Sequence, residues 1–216
     1  MPAGRARWLT FYSAKGGVGT SVVAATTALL GSAQTDTLLV DLAGDQPQIL
    51  GISTPSATLT DWFGADAPHP DALARDADRV SDRLSVLTVA RTGCLPRPDR
   101  LRALAQLLSC EPRTVVVDLG RMGQAGVPLI HSADRSLLVT RPCYLAVHAA
   151  MAGPVPDGVV LVAERGRPLR GADIEAALGV PVVVEIAADP AVARAVDAGV
   201  LKGRIPRSLR RLEELW

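Results

Sequence analysis

The residues best suited to chemistry lie near the amino terminus, in a glycine-rich stretch, Ser13–Ser21, that reads S-A-K-G-G-V-G-T-S. It follows an apolar run, Trp8–Tyr12, and opens an apolar segment with helical spacing, Val22–Leu30. Glycines let several main-chain N–H groups converge on one point, and a helix start adds unpaired donors and the positive end of its dipole. A strand, a glycine-rich turn and a helix in this order predict a cradle for phosphate groups.

The stretch departs at two positions from the usual phosphate loop, G-x-x-x-x-G-K-[ST]. Ala14 stands at the first glycine and Thr20 at the lysine, whereas Gly19 and Ser21 fit. The stretch instead resembles the deviant phosphate loop of the ParA/MinD family, K-G-G-V-G-K-[ST]. Thr20 is an exception to this pattern too, and a threonine here is familiar from the CpaE/TadZ-like branch. The matching positions are Lys15, Gly16, Gly17, Val18, Gly19 and Ser21.

The resemblance implies a site for ATP and Mg²⁺. In the family the first lysine of the loop reaches the phosphates across a dimer interface, so Lys15 is expected to be catalytic and the protein to be a homodimer. The hydroxyl of Ser21 is the expected loop ligand for Mg²⁺. The residues expected to bind the nucleotide are Lys15, Gly16, Gly17, Val18, Gly19, Thr20 and Ser21.

Two further apolar runs end in aspartate. Val115–Asp118 resembles the Walker B strand, which implies that Asp118 holds Mg²⁺ directly or through water; a strand-end aspartate that caps a turn is the alternative. Leu38–Ala43 resembles the family motif L-L-V-D-L-D, whose first aspartate is Asp41, a second expected catalytic residue. The second aspartate of that motif helps to position the attacking water, and alanine occupies its place here.

The substitutions at Thr20 and Ala43 both predict slow or absent ATP hydrolysis. Alanine cannot orient a water, and loss of a positioned acid–base group typically costs ~10²–10⁴-fold in rate. Loss of one preorganised charged donor costs on the order of 3–4 kcal/mol of transition-state stabilisation. Asp45 lies two residues beyond Ala43, and its substitution for the missing carboxylate is a separate hypothesis.

Short apolar runs alternate with helix-like stretches along the whole chain. Runs that are continuous in valine and leucine are typical of strands buried on both faces, and their alternation with helices predicts a doubly wound, mostly parallel α/β sheet flanked by helices. The resemblance implies the three-layer sandwich of SIMIBI-type phosphate-loop NTPases. In such a sheet the phosphate loop, Asp41 and Asp118 would meet at one edge. The predicted strands are Trp8–Tyr12, Thr37–Asp41, Leu84–Val89, Thr114–Asp118, Ser136–Thr140, Gly158–Val162 and Pro181–Ile186.

We expect residues 1–216 to form a single nucleotide-binding domain with two additions. Prolines punctuate a surface insertion around 53–83, for which short helices are predicted at Leu59–Phe63 and Ala72–Arg79. The segment 206–216 has leucines at near-helical spacing among arginines and predicts a short C-terminal helix. Packing of this helix on the domain is favoured over membrane binding, because its glutamates oppose attraction to anionic lipid.

The bulk composition restricts the partners. A formal net charge of +1 gives no global field for nucleic acid, so DNA binding would need a local patch and is weakly supported. Three scattered cysteines show no metal-binding spacing and indicate a reducing compartment, and no apolar stretch approaches the ~20 residues of a membrane span. The expected location is cytoplasmic.

The resemblance implies a positioning protein that marks a site for a pilus, septum or chromosome complex as an ATP-dependent dimer. Its protein partner would belong to a localisation or secretion/pilus system. Two alternatives stay open: an active, DNA-binding chromosome-partition ATPase of the ParA type, and a pseudo-ATPase scaffold that binds no nucleotide. Base specificity is also open, because Ala163 and Glu164 stand near the place of the asparagine that reads adenine in relatives.

Overall fold

The protein is built around one mostly parallel sheet. The computed structural model describes residues 7–53, 58–65, 76–90, 96–121 and 126–216. Its strands follow the spatial order β3-β4-β2-β5-β1-β6-β7-β8, and every neighbouring pair except β3–β4 is parallel. The predicted doubly wound α/β fold is therefore confirmed. The strands are β1 Trp8–Tyr12, β2 Thr37–Asp41, β3 Asp78–Arg79, β4 Leu84–Thr88, β5 Thr114–Asp118, β6 Arg135–Thr140, β7 Gly158–Ala163 and β8 Val182–Ala187.

Helices cover both faces of the sheet and bury two apolar layers. All five residues of β1, β2 and β5 are buried, which explains why these strands are continuous rather than alternating in hydrophobicity. The described helices are α1 Thr20–Gly31, α2 Gln46–Leu50, α3 Leu59–Gly64, α4 Pro98–Ser109, α5 Val127–Ser132, α6 Tyr144–Met151, α7 Gly171–Leu178 and α8 Pro190–Asp197. The short helices α2 and α5 were not predicted, because five or six residues carry too little periodicity.

The insertion around 53–83 is described only in part, since 54–57 and 66–75 lie outside the described residues. Helix α3 lies where the first of its two helices was predicted. The prediction of a helix at Ala72–Arg79 is wrong at its end, because Asp78 and Arg79 pair antiparallel with β4. Asp78 and Arg79 form a short hairpin with Val86 and Ser85 of β4, and a strand of two residues is too short to show an alternating pattern in the sequence.

The carboxyl-terminal segment forms a 3₁₀-helix, Arg207–Leu215, that packs on α1 and β8. Its leucines are buried: Leu209, Leu212 and Leu215. Trp216 donates its indole N–H to the carbonyl of Thr27 at 3.2 Å. The apolar side chains of the tail therefore contact the helix that follows the phosphate loop. Within the described residues, every helix is too short or too polar to cross a membrane.

The strand order brings the predicted site residues to one edge of the sheet. Strand β5 lies between β2 and β1, so Asp118 is in register with Asp41 on one side and with Phe11 on the other. The glycine-rich loop leaves β1 directly after this register position. Three neighbouring carboxyl ends thus meet where the sequence predicted that they would.

Candidate phosphate-binding site

The glycine-rich loop forms one wall of a cleft of about 480 Å³ at this edge. Gly17 and Gly19 have φ angles of 77° and 100°, a backbone region that side chains rarely adopt. Gly19 is the N-cap of α1, so the first N–H groups of the helix face the cleft without an intrahelical acceptor. Of the predicted nucleotide-binding residues, those that line the cleft are Gly16, Gly17, Gly19, Thr20 and Ser21. Val18 is buried in the core instead.

Lys15 lies on the outside of the loop. Its side chain is exposed and is not part of the cleft lining. At the N-cap of α6, the N–H groups of Ala146 and Leu145 lower the pKa of the Cys143 thiol, and the charge of Lys15 adds a smaller lowering. The lysine is therefore at the surface, outside the lining of its own cleft.

Asp118 is fully buried behind the cleft wall, next to the lining residues Leu119 and Gly120. One carboxylate oxygen accepts the N–H of Gly120 at 2.9 Å, and the other accepts the side-chain amide of Gln46 at 2.9 Å. Burial raises the pKa of Asp118 to about 7, and the charge of neighbouring Asp41 adds to the rise, while hydrogen bonds from Gln46 and Ser21 oppose it. An isolated carboxylate in this position is costly, and a cation would favour its charged form.

Gln46 is a site residue that the sequence analysis missed. Its side-chain nitrogen also donates to the carbonyl of Ser21 at 2.9 Å, so one amide connects α2, the phosphate loop and β5. Gln46 is fully buried, and its side-chain oxygen has no hydrogen-bond partner among the described residues. A glutamine just before a proline at a helix start is the only local signal, and that signal does not specify a site.

The oxygen atoms of Ser21, which lines the cleft, and of Asp118, buried beside it, suit Mg²⁺. Mg²⁺ binds few protein ligands, usually one or two carboxylates together with waters and substrate phosphates. Ser21 and Asp118 would hold the ion, and the unsatisfied oxygen of Gln46 would be an acceptor for a metal-bound water. Within the described ranges no three His, Cys, Asp or Glu side chains come together as a metal site. An ion bound by Ser21 and Asp118 would complete its coordination with waters and substrate phosphates.

Asp41 holds the main chain that follows β2. One carboxylate oxygen accepts the N–H groups of Ala43 and Gly44 at 2.9 and 2.7 Å. The other accepts the N–H of Gln46 at 3.0 Å and the hydroxyl of Thr88 at 2.6 Å. Burial raises the pKa of Asp41, and these four donors oppose the rise. The geometry thus gives Asp41 a positioning role, and its catalytic role stays a prediction.

Comparison with known proteins supports the assignment of the fold. No family model matches the chain, and no curated protein matches its sequence. Solved structures do match: the ParA family ATPase from Chlorobium tepidum has a TM-score of 0.78 at 21% identity, covering 99% of this chain and 98% of that one. MinD from Pyrococcus horikoshii complexed with Mg-ADP has a TM-score of 0.76 at 19% identity, with 97% and 94% covered. MinD in the MinC:MinD complex of Aquifex aeolicus has 0.75 at 18%, with 97% and 94% covered. The chain has the ParA/MinD fold.

The opposite wall of the cleft in this ParA/MinD fold comes from the loops after β2 and β5. Ala43 and Asp45 line it, as do Gly120 and Arg121. Ala43 packs closely on Gly120, since a Cβ built on that glycine would lie 2.9 Å from the Ala43 Cβ. Asp45 is exposed and faces the cleft, so its substitution for the missing carboxylate stays a hypothesis. Arg121 is a second residue that the sequence analysis missed.

A second, more apolar cleft of about 490 Å³ adjoins the first and shares Gly19 and Val22 with it. Arg141 lies on its wall with a buried Nε that has no hydrogen-bond partner among the described residues. Arg141 also donates to Glu164 at 2.7 Å, and Arg167 donates to the other oxygen of Glu164 at 2.7 Å. Glu164, near the expected asparagine position, is therefore held in an ion-pair cluster.

Proposed function

We propose that the protein binds ATP with Mg²⁺ and acts as a positioning protein of the ParA/MinD kind, with weak or absent hydrolysis. The observation that carries the proposal is the cleft lined by the N-terminus of α1 and Ser21, with Asp118 buried next to the lining residues Leu119 and Gly120 and joined to Ser21 through Gln46. Main-chain N–H groups at a helix start favour phosphate, and the paired oxygen ligands favour Mg²⁺. MinD of Pyrococcus horikoshii, which has the same fold, was solved with Mg-ADP.

The base of the nucleotide would occupy the apolar cleft beside the phosphate cleft. The two clefts share Gly19 and Val22, so a single ligand could enter both. The unsatisfied N–H of Arg141 is a donor available to an acceptor atom of the base or sugar. Glu164 is engaged by Arg141 and Arg167, so it offers no equivalent of an asparagine amide.

Weak hydrolysis follows from Thr20 and Ala43. Both side chains line the cleft, and neither carries a charge or a basic group. A bound triphosphate would therefore lack the loop ammonium and the water-positioning carboxylate. A protein that binds ATP but turns it over slowly would use the nucleotide to shift a conformational or assembly equilibrium.

The assembly we propose is a nucleotide-dependent homodimer. Lys15 points away from its own cleft, as expected for a residue that reaches the nucleotide of a second subunit. The neighbouring helix α6 exposes large apolar side chains, with Tyr144 and Leu145 at 69% and 63% accessibility. An exposed apolar surface of this kind favours a protein partner. The protein would act in the cytoplasm on a pilus, septum or chromosome complex, with the CpaE/TadZ-like branch as its nearest relatives.

Titration with mant-ATP and Mg²⁺ tests nucleotide binding, and light scattering after size-exclusion chromatography tests the dimer. We expect saturable binding and an ATP-dependent increase in mass, both reduced in Lys15→Ala. Lys202→Ala is the matched control, because it removes the chain's other lysine, an exposed side chain on a different loop. Absence of binding in the wild type at millimolar ATP would favour the pseudo-ATPase scaffold.

A second candidate function is that of a DNA-binding partition ATPase. It is favoured by a third cleft, which lies on the side of α8 opposite the apolar cleft. This cleft of about 730 Å³ is lined by Arg194, Arg204, Arg207 and Arg210. Arginine clusters bind phosphate backbones, and such binding weakens with salt. Fluorescence anisotropy with duplex DNA tests this candidate. It would be favoured by salt-sensitive DNA binding that is lost in Arg204→Gln/Arg207→Gln, together with ATP turnover that DNA stimulates.

A further inference from the structure

Arg121 extends over the phosphate loop from the end of β5. It lines the phosphate cleft, and a Cβ built on Gly16 would lie 3.8 Å from the Arg121 Cδ. Its side chain is exposed, and it forms no hydrogen bond or ion pair with any other described residue. Among the described residues that line this cleft, Arg121 is the only cation. A guanidinium that has no partner among the described residues and lies beside a glycine-rich loop is arranged to meet an anion.

The main chain just before Arg121 is fixed on two sides. The N–H of Gly120 donates to the Asp118 carboxylate at 2.9 Å. The carbonyl of Gly120 accepts the N–H of Ser13 at 2.9 Å and the Ser13 hydroxyl at 3.1 Å. Gly120 has a φ of 54°, which directs the chain back over the loop. The position of Arg121 is therefore tied both to the expected metal ligand and to the phosphate loop.

We propose that Arg121 supplies the phosphate-binding cation that the loop lacks at Thr20. This inference rests on the proposed function and specifies how its site neutralises a nucleoside polyphosphate. Thr20 is 5% exposed and offers only a short neutral hydroxyl. A guanidinium is always charged and can bind two phosphate oxygens at once. The cation would thus come from the wall of the cleft that follows β5. In the usual phosphate loop the cation is a lysine at the start of the helix, on the opposite wall.

The inference predicts that Arg121→Gln weakens mant-ATP binding by about 10-fold to 100-fold, the usual effect of losing a hydrogen-bonded charge. Arg121→Lys should lose less, because it keeps the charge but not the planar pair of donors. Arg102→Gln is the matched control, since it makes the same charge change at an exposed position on α4. Circular dichroism melts without nucleotide check that the variants fold.

A rescue experiment separates a phosphate contact from a general effect on the loop. If Arg121 replaces the missing ammonium, Thr20→Lys should restore most of the affinity lost in Arg121→Gln, and should add less in the wild type. Failure of rescue in a folded double variant that still binds weakly would overturn the replacement.

The outcomes also separate this inference from the proposed function. No mant-ATP binding in the wild type removes both. Wild-type binding that is equal in Arg121→Gln and Arg102→Gln removes only the role of Arg121, and the nucleotide site stands. Selective loss in Arg121→Gln with rescue by Thr20→Lys supports both.

Discussion

Gln46 donates its side-chain amide to the carboxylate of Asp118 at 2.9 Å, while the same nitrogen donates to the carbonyl of Ser21. One buried amide thus joins the main chain of Ser21 to the carboxylate of Asp118, and these two residues are the expected magnesium ligands. We predict that Gln46→Ala lowers the free energy of unfolding by about 1–3 kcal/mol, since it leaves a buried carboxylate and a carbonyl without this donor. It should also weaken Mg²⁺-dependent mant-ATP binding.

The control for this prediction lies on the same short helix. Gln48 is exposed on α2, so Gln48→Ala removes an equal side chain without a buried contact. Urea denaturation and nucleotide titration of both variants provide the comparison. Equal effects of the two substitutions on stability and binding would show that the Gln46 amide does not organise the site.

Asp118 and Asp41 give the metal-free protein a specific pH dependence. Because burial raises the pKa of Asp118 to about 7, the folded protein retains a proton that the unfolded chain releases near pH 4. Stability should therefore fall as pH rises from about 4 to 7, and the full penalty should be present above that range. We predict that Asp118→Asn, which abolishes this charge, melts a few degrees higher than the wild type at pH 8 in EDTA.

The same substitution should produce opposite changes in stability and function. At pH 5 in EDTA the melting temperatures of Asp118→Asn and the wild type should converge, because Asp118 is then protonated. At pH 8 the variant should have lost Mg²⁺-dependent nucleotide binding. A variant that melts lower than the wild type at pH 8 would mean that hydrogen bonding at Asp118 outweighs its burial.

The sequence predicted the parts of this site that are local and periodic. The glycine-rich loop, the strand that ends at Asp118 and the common edge of the sheet follow from short patterns and strand–helix alternation. Gln46 and Arg121 were not predicted, because each becomes a site residue only when separate loops fold against the phosphate loop. The positioning role of Asp41 was not predicted either, because its hydrogen-bond partner Thr88 lies 47 positions away in the sequence, on the neighbouring strand β4.

Any side chain at position 120 should lower the stability of the folded protein. Gly120 has a φ of 54°, which is unfavourable for any residue with a Cβ, and that Cβ would lie 2.9 Å from the Cβ of Ala43. We predict that Gly120→Ala destabilises the protein by about 1–2 kcal/mol or more in urea denaturation. Gly64→Ala is the control, because a Cβ there meets nothing within 4 Å. Adding Ala43→Gly should recover only the part that is due to the clash, whereas complete recovery would argue against backbone strain.

Thr20 and Ala43 should together limit hydrolysis. Both line the phosphate cleft, so a lysine and a carboxylate introduced there would extend toward a bound triphosphate. We predict that Thr20→Lys/Ala43→Asp raises ATP turnover at least ~10-fold. This is less than the ~10²–10⁴-fold that a fully positioned acid–base group provides. Phosphate release at saturating ATP measures the effect. Thr20→Lys/Ala43→Asn is the matched control, because it adds similar bulk without the carboxylate. If the repaired protein binds ATP but its turnover equals that of the control, the missing carboxylate is not what limits hydrolysis.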